Sequence, residues 1–165
     1  MTIYEVLRHE HHVIRACLQR IADLGERKPL TRQRHFRQLQ ELLVVHAAAV
    51  EAIFHAPLLE HDATASLARR GRVRHDVAGS LMEMIAGLPP AEPDWTAYFA
   101  VLGEVLELQM RREEKEMFRL ARKVLDQETA ALMGEALLQV GKGREVMAQV
   151  EIQPAPVPEG ARSLH

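Results

Sequence analysis

The chain has a single cysteine, Cys17, so no disulfide can form within it, which fits a reducing compartment. Aromatic residues are scarce at 4 %, leaving little material for base-stacking or sugar-binding platforms. An excess of one charge is lacking too. The 21 basic and 23 acidic residues are interleaved and leave a net charge of −2, so nothing favours nucleic acid. The one basic run, RRGRVR at 69–74, reads as a solvated helix face rather than an anion patch. No apolar run approaches the roughly 20 residues that cross a bilayer. The opening Met1-Thr2-Ile3-Tyr4-Glu5 enters a helical pattern directly, without the basic region and apolar core of a secretory signal. The expectation is a cytoplasmic protein that binds neither nucleic acid nor membrane.

What is present is helical periodicity, in a 165-residue chain long enough for one domain with a real core. Thr2-x-x-Glu5 is a capping box, followed at steps of three and four by Ile3, Leu7, His11, Ile14, Leu18 and Ile21. That helix ends near Gly25. Thr31 is the expected cap of a second helix, with the stripe Phe36, Leu39, Leu43, His46, Val50, Ile53 and an end or kink at Pro57. A third is expected over 61–85, carrying Leu67, Gly71, His75, Ala78, Met82 and Ile85. After the breaker GLPPAEP at 87–93, Asp94 is the expected cap of a fourth, with Tyr98, Leu102, Val105, Gln109, Glu113, Met117, Leu120 and Val124 in line. A shorter fifth helix is expected over 126–140, and then a disordered tail punctuated by Pro154, Pro156 and Pro158. Four long amphipathic helices with short links predict an all-α antiparallel up-and-down four-helix bundle. With the short fifth helix it occupies 1–142, and 143–165 is the flexible tail.

The exceptions on the stripes carry the chemistry. Burying a polar group without a partner costs a few kcal/mol. Yet each of the four stripes carries such a residue near mid-length: His11, His46, His75, and the pair Gln109 and Glu113, four apart on one face. Taken alone, each histidine reads as a satisfied core residue. Taken together, they would converge on the bundle axis, which is how metal sites are built in bundles. Glu114 and Glu116 read as solvated charges. His9, His12, His35, His61 and His165 read as surface or tail residues.

This constellation resembles the hemerythrin-like, HHE cation-binding, family. Its members are four-helix bundles with a non-haem di-iron site. Their pattern is a His on helix one, His-x-x-x-Glu on helix two, His on helix three and His-x-x-x-Glu on helix four. Within Leu7-Arg8-His9-Glu10-His11-His12, His11 matches the first element, and His75 in Arg74-His75-Asp76 matches the third. Glu113-Glu114-Lys115-Glu116-Met117-Phe118 is similar to the close of helix four, and Glu51-Ala52-Ile53-Phe54-His55-Ala56-Pro57 to that of helix two. The resemblance implies a ligand set of His11, His46, His75, Glu51 and Glu113 and a di-iron centre, with zinc or a single ion as lesser possibilities.

Three departures stand out. Gln109, a weak ligand, occupies the family's helix-four His position, and Gly79 the second helix-three His position of the oxygen carriers. On helix two the family's His-to-Glu spacing of four is five here, which sets His46 and Glu51 roughly 140° apart on a regular helix. One residue looped out as a π-bulge between Ala47 and Val50 would bring both to one face. The alternative pairs Glu51 with His55 and leaves His46 as a core residue.

The function implied is binding or sensing of oxygen, nitric oxide or peroxide at the metal, with a homodimer possible. Two alternatives accompany it: a di-iron enzyme handling peroxide or nitric oxide, and a metal-free helical module with an interaction or regulatory role.

Overall fold

The computed structural model describes residues 1–151, with side chains to residue 142. Among these, every regular element is helical. The chain is all-α, as its periodicity predicts. The elements are α1 (Ile3–Leu24), a 3-10 turn (Gly25–Arg27), α2 (Pro29–Val50), a π-turn π1 (Glu51–His55) and α3 (Ala56–Leu58). There follow α4 (Asp62–Ala86), α5 (Pro93–Arg112), a second π-turn π2 (Glu113–Met117), α6 (Phe118–Val124) and α7 (Gln127–Glu151).

The helix ends follow local chemistry. The Glu5 carboxylate accepts from the Thr2 backbone N–H at 2.7 Å and from its hydroxyl at 2.9 Å. Gly25, at φ 55°, ends α1 in a conformation that side-chain-bearing residues avoid. The expected caps Thr31 and Asp94 both lie inside their helices instead. In each case a proline opens the helix: Pro29 opens α2 and Pro93 opens α5, where the missing N–H costs nothing and the fixed φ suits the first turn. Asp94 then sits in the first turn and complements the helix dipole. Asp126 caps the last helix by accepting from the Thr129 N–H at 2.7 Å. α7 also continues past Val140, where the sequence pattern ends. It lies against α1, and a Cβ on Gly134 would collide with the backbone of Met1 to Ile3. Of the stretch 143–165, expected as a flexible tail, α7 takes up 143–151 instead, and 152–165 lies outside the described residues.

Two apolar clusters fill the interior. One gathers Ile3 and Leu7 of α1 with Val50, Phe54, Leu58, Ala68, Phe118 and Ala121. The other gathers Ile14 and Ile21 with Phe36, Leu43, Met82, Ile85, Trp95, Phe99, Leu102 and Met110. Burial of each large apolar side chain contributes about 1.5–3 kcal/mol. Along each of the four stripes, the polar residue falls between the two clusters. His11 separates Leu7 from Ile14, His46 separates Leu43 from Val50, His75 separates Ala68 from Met82, and Glu113 separates Met110 from Phe118.

The second cluster is closed by Arg32, which is 2 % exposed. Its guanidinium lies 4.1 Å from the Trp95 ring centroid, donates to Thr96 Oγ1 at 2.9 Å and also donates to the Pro90 carbonyl. Burial lowers its pKa, with Glu26 pulling the other way. Within the continuous helical stretch Pro29–Leu58, an 18-residue window with a mean hydropathy of 1.4 is apolar enough, by length and composition alone, to cross a membrane. This corrects the expectation that no such run exists. In the fold its Phe36, Leu39, Leu43, Val50, Phe54 and Leu58 are core residues.

Candidate metal centre

The residues between the two apolar clusters form one polar layer. His11, His46, His55, Gln109 and Glu113 are buried and His75 is half-buried. Neighbouring rings lie 5.8 Å (His11–His46), 6.2 Å (His46–His75) and 5.4 Å (His55–His75) apart between centroids, the last pair stacked at 17°. His9 and His12 are exposed, as stripe phase predicts.

Helix two brings in its residues differently from either expectation. The Glu51 N–H bonds to the Ala47 carbonyl, so the helix is regular where the bulge was expected. The extra residue is looped out one turn later, where the Ala56 N–H reaches back five residues to Glu51. Nine regular steps from His46 put His55 about 180° away; absorbing one residue leaves eight effective steps, or about 80°. The π-turn therefore rotates His55, not Glu51, toward the His46 side. Glu51 is half-buried and takes no part in the hydrogen bonds of the layer. His55 bonds to Glu113 rather than to Glu51, and both His46 and His55 are in the layer. Gly71 makes room for this: a Cβ there would sit 2.9 Å from His55 Cε1 and 3.0 Å from Gln109 Nε2.

Glu113 is the centre of the network and is wholly buried. Its Oε1 accepts from His55 Nε2 and from Gln109 Nε2, both at 2.7 Å. Its Oε2 lies 3.0 Å from His11 Nε2, but off the hydrogen-bonding axis, so both atoms are buried without a hydrogen-bond partner. His55 Nδ1 and His75 Nδ1 are likewise unpartnered. Burial alone would raise the Glu113 pKa; its close contacts with His11 and His55 and their charge prevail and hold it well below the usual carboxylate range. Burial also works against a charged His11, yet Glu113 and Glu114 outweigh it and raise its pKa. Burial pushes His75 down to about 4, against the pull of Glu113, with His55 and His46 repelling a further proton.

An outer ring holds the inner one. His11 Nδ1 donates to Glu114 Oε1 at 2.8 Å, and His46 Nδ1 donates to Glu10 Oε2 at 2.7 Å. A carboxylate can only accept, so in the neutral imidazole the proton sits on Nδ1 and Nε2 keeps its lone pair. Arg15 donates to Glu114 at 3.0 Å and to Glu107 at 2.8 Å. Arg74 donates to Gln109 Oε1 at 3.0 Å, and burial lowers its pKa. Glu114 and Arg74 are thus not the solvated charges that the sequence pattern suggests. Glu10 and Arg15 carried no sequence signal beyond their nearness to His11 on the same helix.

A cavity of about 20 Å³ adjoins the layer. Ile14, Leu43, Met82, Leu106 and Met110 line its apolar side; His46, His75, Gln109 and Glu113 line the other. It has room for one water-sized molecule. Among the described residues, no three His, Cys, Asp or Glu side chains stand ready-set to hold an ion. At Glu113 Oε1, His55 and Gln109 instead donate to the carboxylate. The donor types themselves, imidazoles with one buried carboxylate, suit first-row transition metals.

Comparison with known families gives one finding. A family model described as the hemerythrin HHE cation binding domain matches residues 2–121. No curated protein and no solved structure matches the chain.

Proposed function

The chain belongs to the hemerythrin HHE cation-binding domain family, and from that premise we propose that it is a non-haem metal-binding protein whose centre is the layer around Glu113. His11, His46, His55, His75 and Glu113 are its candidate ligands. Iron is the metal that the family suggests, and the adjoining cavity suits a small ligand such as oxygen or nitric oxide. A bound ion would supply Lewis acidity and a coordination position for that ligand.

The observation that carries this reading is the pair of carboxylate–imidazole contacts, Glu114 to His11 and Glu10 to His46. Such outer carboxylates fix ring orientation and tautomer and raise the basicity of the ligating nitrogen. A second support is the His11 Nε2 to Glu113 Oε2 separation of 3.0 Å. Two donors at about 2.1 Å from one ion and at right angles to each other lie about 3.0 Å apart.

The bundle topology we propose is antiparallel and up-and-down. Its support is the alternation of the two apolar clusters along successive helices, and the pairs His11–Glu114 and Arg15–Glu107, whose numbers run in opposite directions.

The test is elemental analysis of protein expressed in iron-rich medium, with absorption spectra before and after reductant and with nitric oxide. Stoichiometric metal and a nitric oxide-dependent band support the reading. The rival reading, a metal-free helical module, draws on the way Glu113 Oε1 is satisfied by His55 and Gln109 alone. It is upheld by metal content near zero together with a melting temperature that chelators leave unchanged.

A further inference from the structure

Resting on the metal-binding reading, we infer that the layer is two unlike halves: a seat for one metal ion formed by His11, His46 and Glu113, and a cation-poor half formed by His55, His75 and Gln109 that faces a ligand rather than a second ion.

The two halves divide at the Glu113 carboxylate. Oε2 faces His11, and His46 stands beside His11. Each of these imidazoles has a carboxylate behind it, Glu114 and Glu10. The seat therefore has one direct negative charge and two more behind its imidazoles. Two imidazoles and one carboxylate, with further positions open, is the donor set of mononuclear non-haem iron(II).

Oε1 faces the other half, where the electrostatics are reversed. Gln109 is neutral and turns its amide N–H₂ to Glu113 at 2.7 Å, a donor where a metal needs a lone pair. Behind it stands Arg74, 3.0 Å from Gln109 Oε1. A fixed guanidinium next to the second position opposes a second cation. His55 and His75 have no carboxylate behind them, and both Nδ1 atoms are unpartnered. Paired metal sites in helical bundles also draw on several carboxylates. Glu113 is the buried carboxylate of the layer, while the residue one turn after His46 is Val50, fully buried alkyl, and Glu51 is half-buried. What this half offers instead at the cavity wall is the Gln109 amide and the His75 imidazole, suited to the outer atom of a small molecule bound at the seat.

The experiment is titration of the full-length metal-free protein with Fe(II) under anaerobic conditions, read by native mass spectrometry and by competition with a chelator. It is repeated for His11→Ala, His46→Ala, His55→Ala and His75→Ala, each checked for folding by circular dichroism. One ion per chain is expected. His11→Ala and His46→Ala should weaken it more than 100-fold, and His55→Ala and His75→Ala less than tenfold. The latter two should instead shift the nitric oxide absorption band. Two ions per chain overturn the inference and leave the metal-binding reading intact. Equal losses in all four variants overturn the division into halves. Absence of any bound ion removes the metal-binding reading itself, and this inference with it.

Discussion

Replacing Gly71 by alanine separates the packing of this layer from the properties of the helix that carries it. In the interior of a helix, Gly→Ala is normally stabilising, by about 1 kcal/mol, because alanine loses less backbone freedom on folding. Gly79, on the same helix, and Gly103 on α5 have nothing within 4 Å of a new Cβ. Each should gain that full amount. At Gly71 the same Cβ falls 2.9 Å from His55 Cε1 and 3.0 Å from Gln109 Nε2. Both neighbours are buried, and both are bonded to Glu113 at 2.7 Å, so neither retreats without lengthening a hydrogen bond. Overpacking of this kind costs about 1–3 kcal/mol. Set against the propensity gain, Gly71→Ala should be neutral to about 2 kcal/mol destabilising. Urea denaturation of the metal-free variants reads the difference, and in melting curves each kcal/mol corresponds to about 2–4 °C for a domain of this size. If all three variants are stabilised alike, the crowding around His55 does not exist and the placement of that ring is wrong.

Two further outcomes follow from the outer ring and from proton linkage. Glu10→Gln and Glu114→Gln keep shape and remove charge behind His46 and His11; metal affinity should drop about 10- to 100-fold in each, measured by chelator competition, with little change in fold. In the metal-free protein, His75 is held down to about 4, so the unfolded chain takes up its proton first as the pH falls below 6.5. Stability is then lost between about pH 6.5 and 4, by at most about 3 kcal/mol. His11 has the opposite sign. Its pKa is raised, so its contribution is complete below 6.5 and is lost as the pH rises through the raised value. The metal-free protein should therefore be most stable near pH 6.5 in a series of urea titrations; a monotonic rise from pH 5 to 9 would contradict the His11 shift, and undiminished stability from pH 6.5 down to 4 would contradict the His75 shift.

Polar residues interrupting apolar stripes made most of the layer legible. Helical period alone brings His11, His46, His75, Gln109 and Glu113 to one level, and the fold puts them there. His55 was not legible in the same way, because on a regular helix it lies opposite His46. Only a looped-out residue turns it inward, and the sequence does not say where along 46–57 that residue is absorbed. Within π1, Phe54 rather than Ile53 is buried, and past π2 the shift favours Phe118 and Ala121 over Leu120. Pro93 reads as part of a breaker because proline ends helices; at a first helical position the same ring begins one, as Pro29 does for α2. Glu10 and Glu114 lie beside stripe residues rather than on the stripes. Their role depends on which neighbouring helix they meet, and that is a tertiary fact.

The small cavity gives the centre a particular kind of doorway. Its far wall is alkyl groups and the thioethers of Met82 and Met110, facing the nitrogens and oxygens of the layer. Gases that dissolve readily in oil enter such a cavity at little cost, whereas an anion of the same size must first shed its hydration. On the proposed metal-binding reading, selection among ligands would begin with solubility, before any coordinating atom takes part.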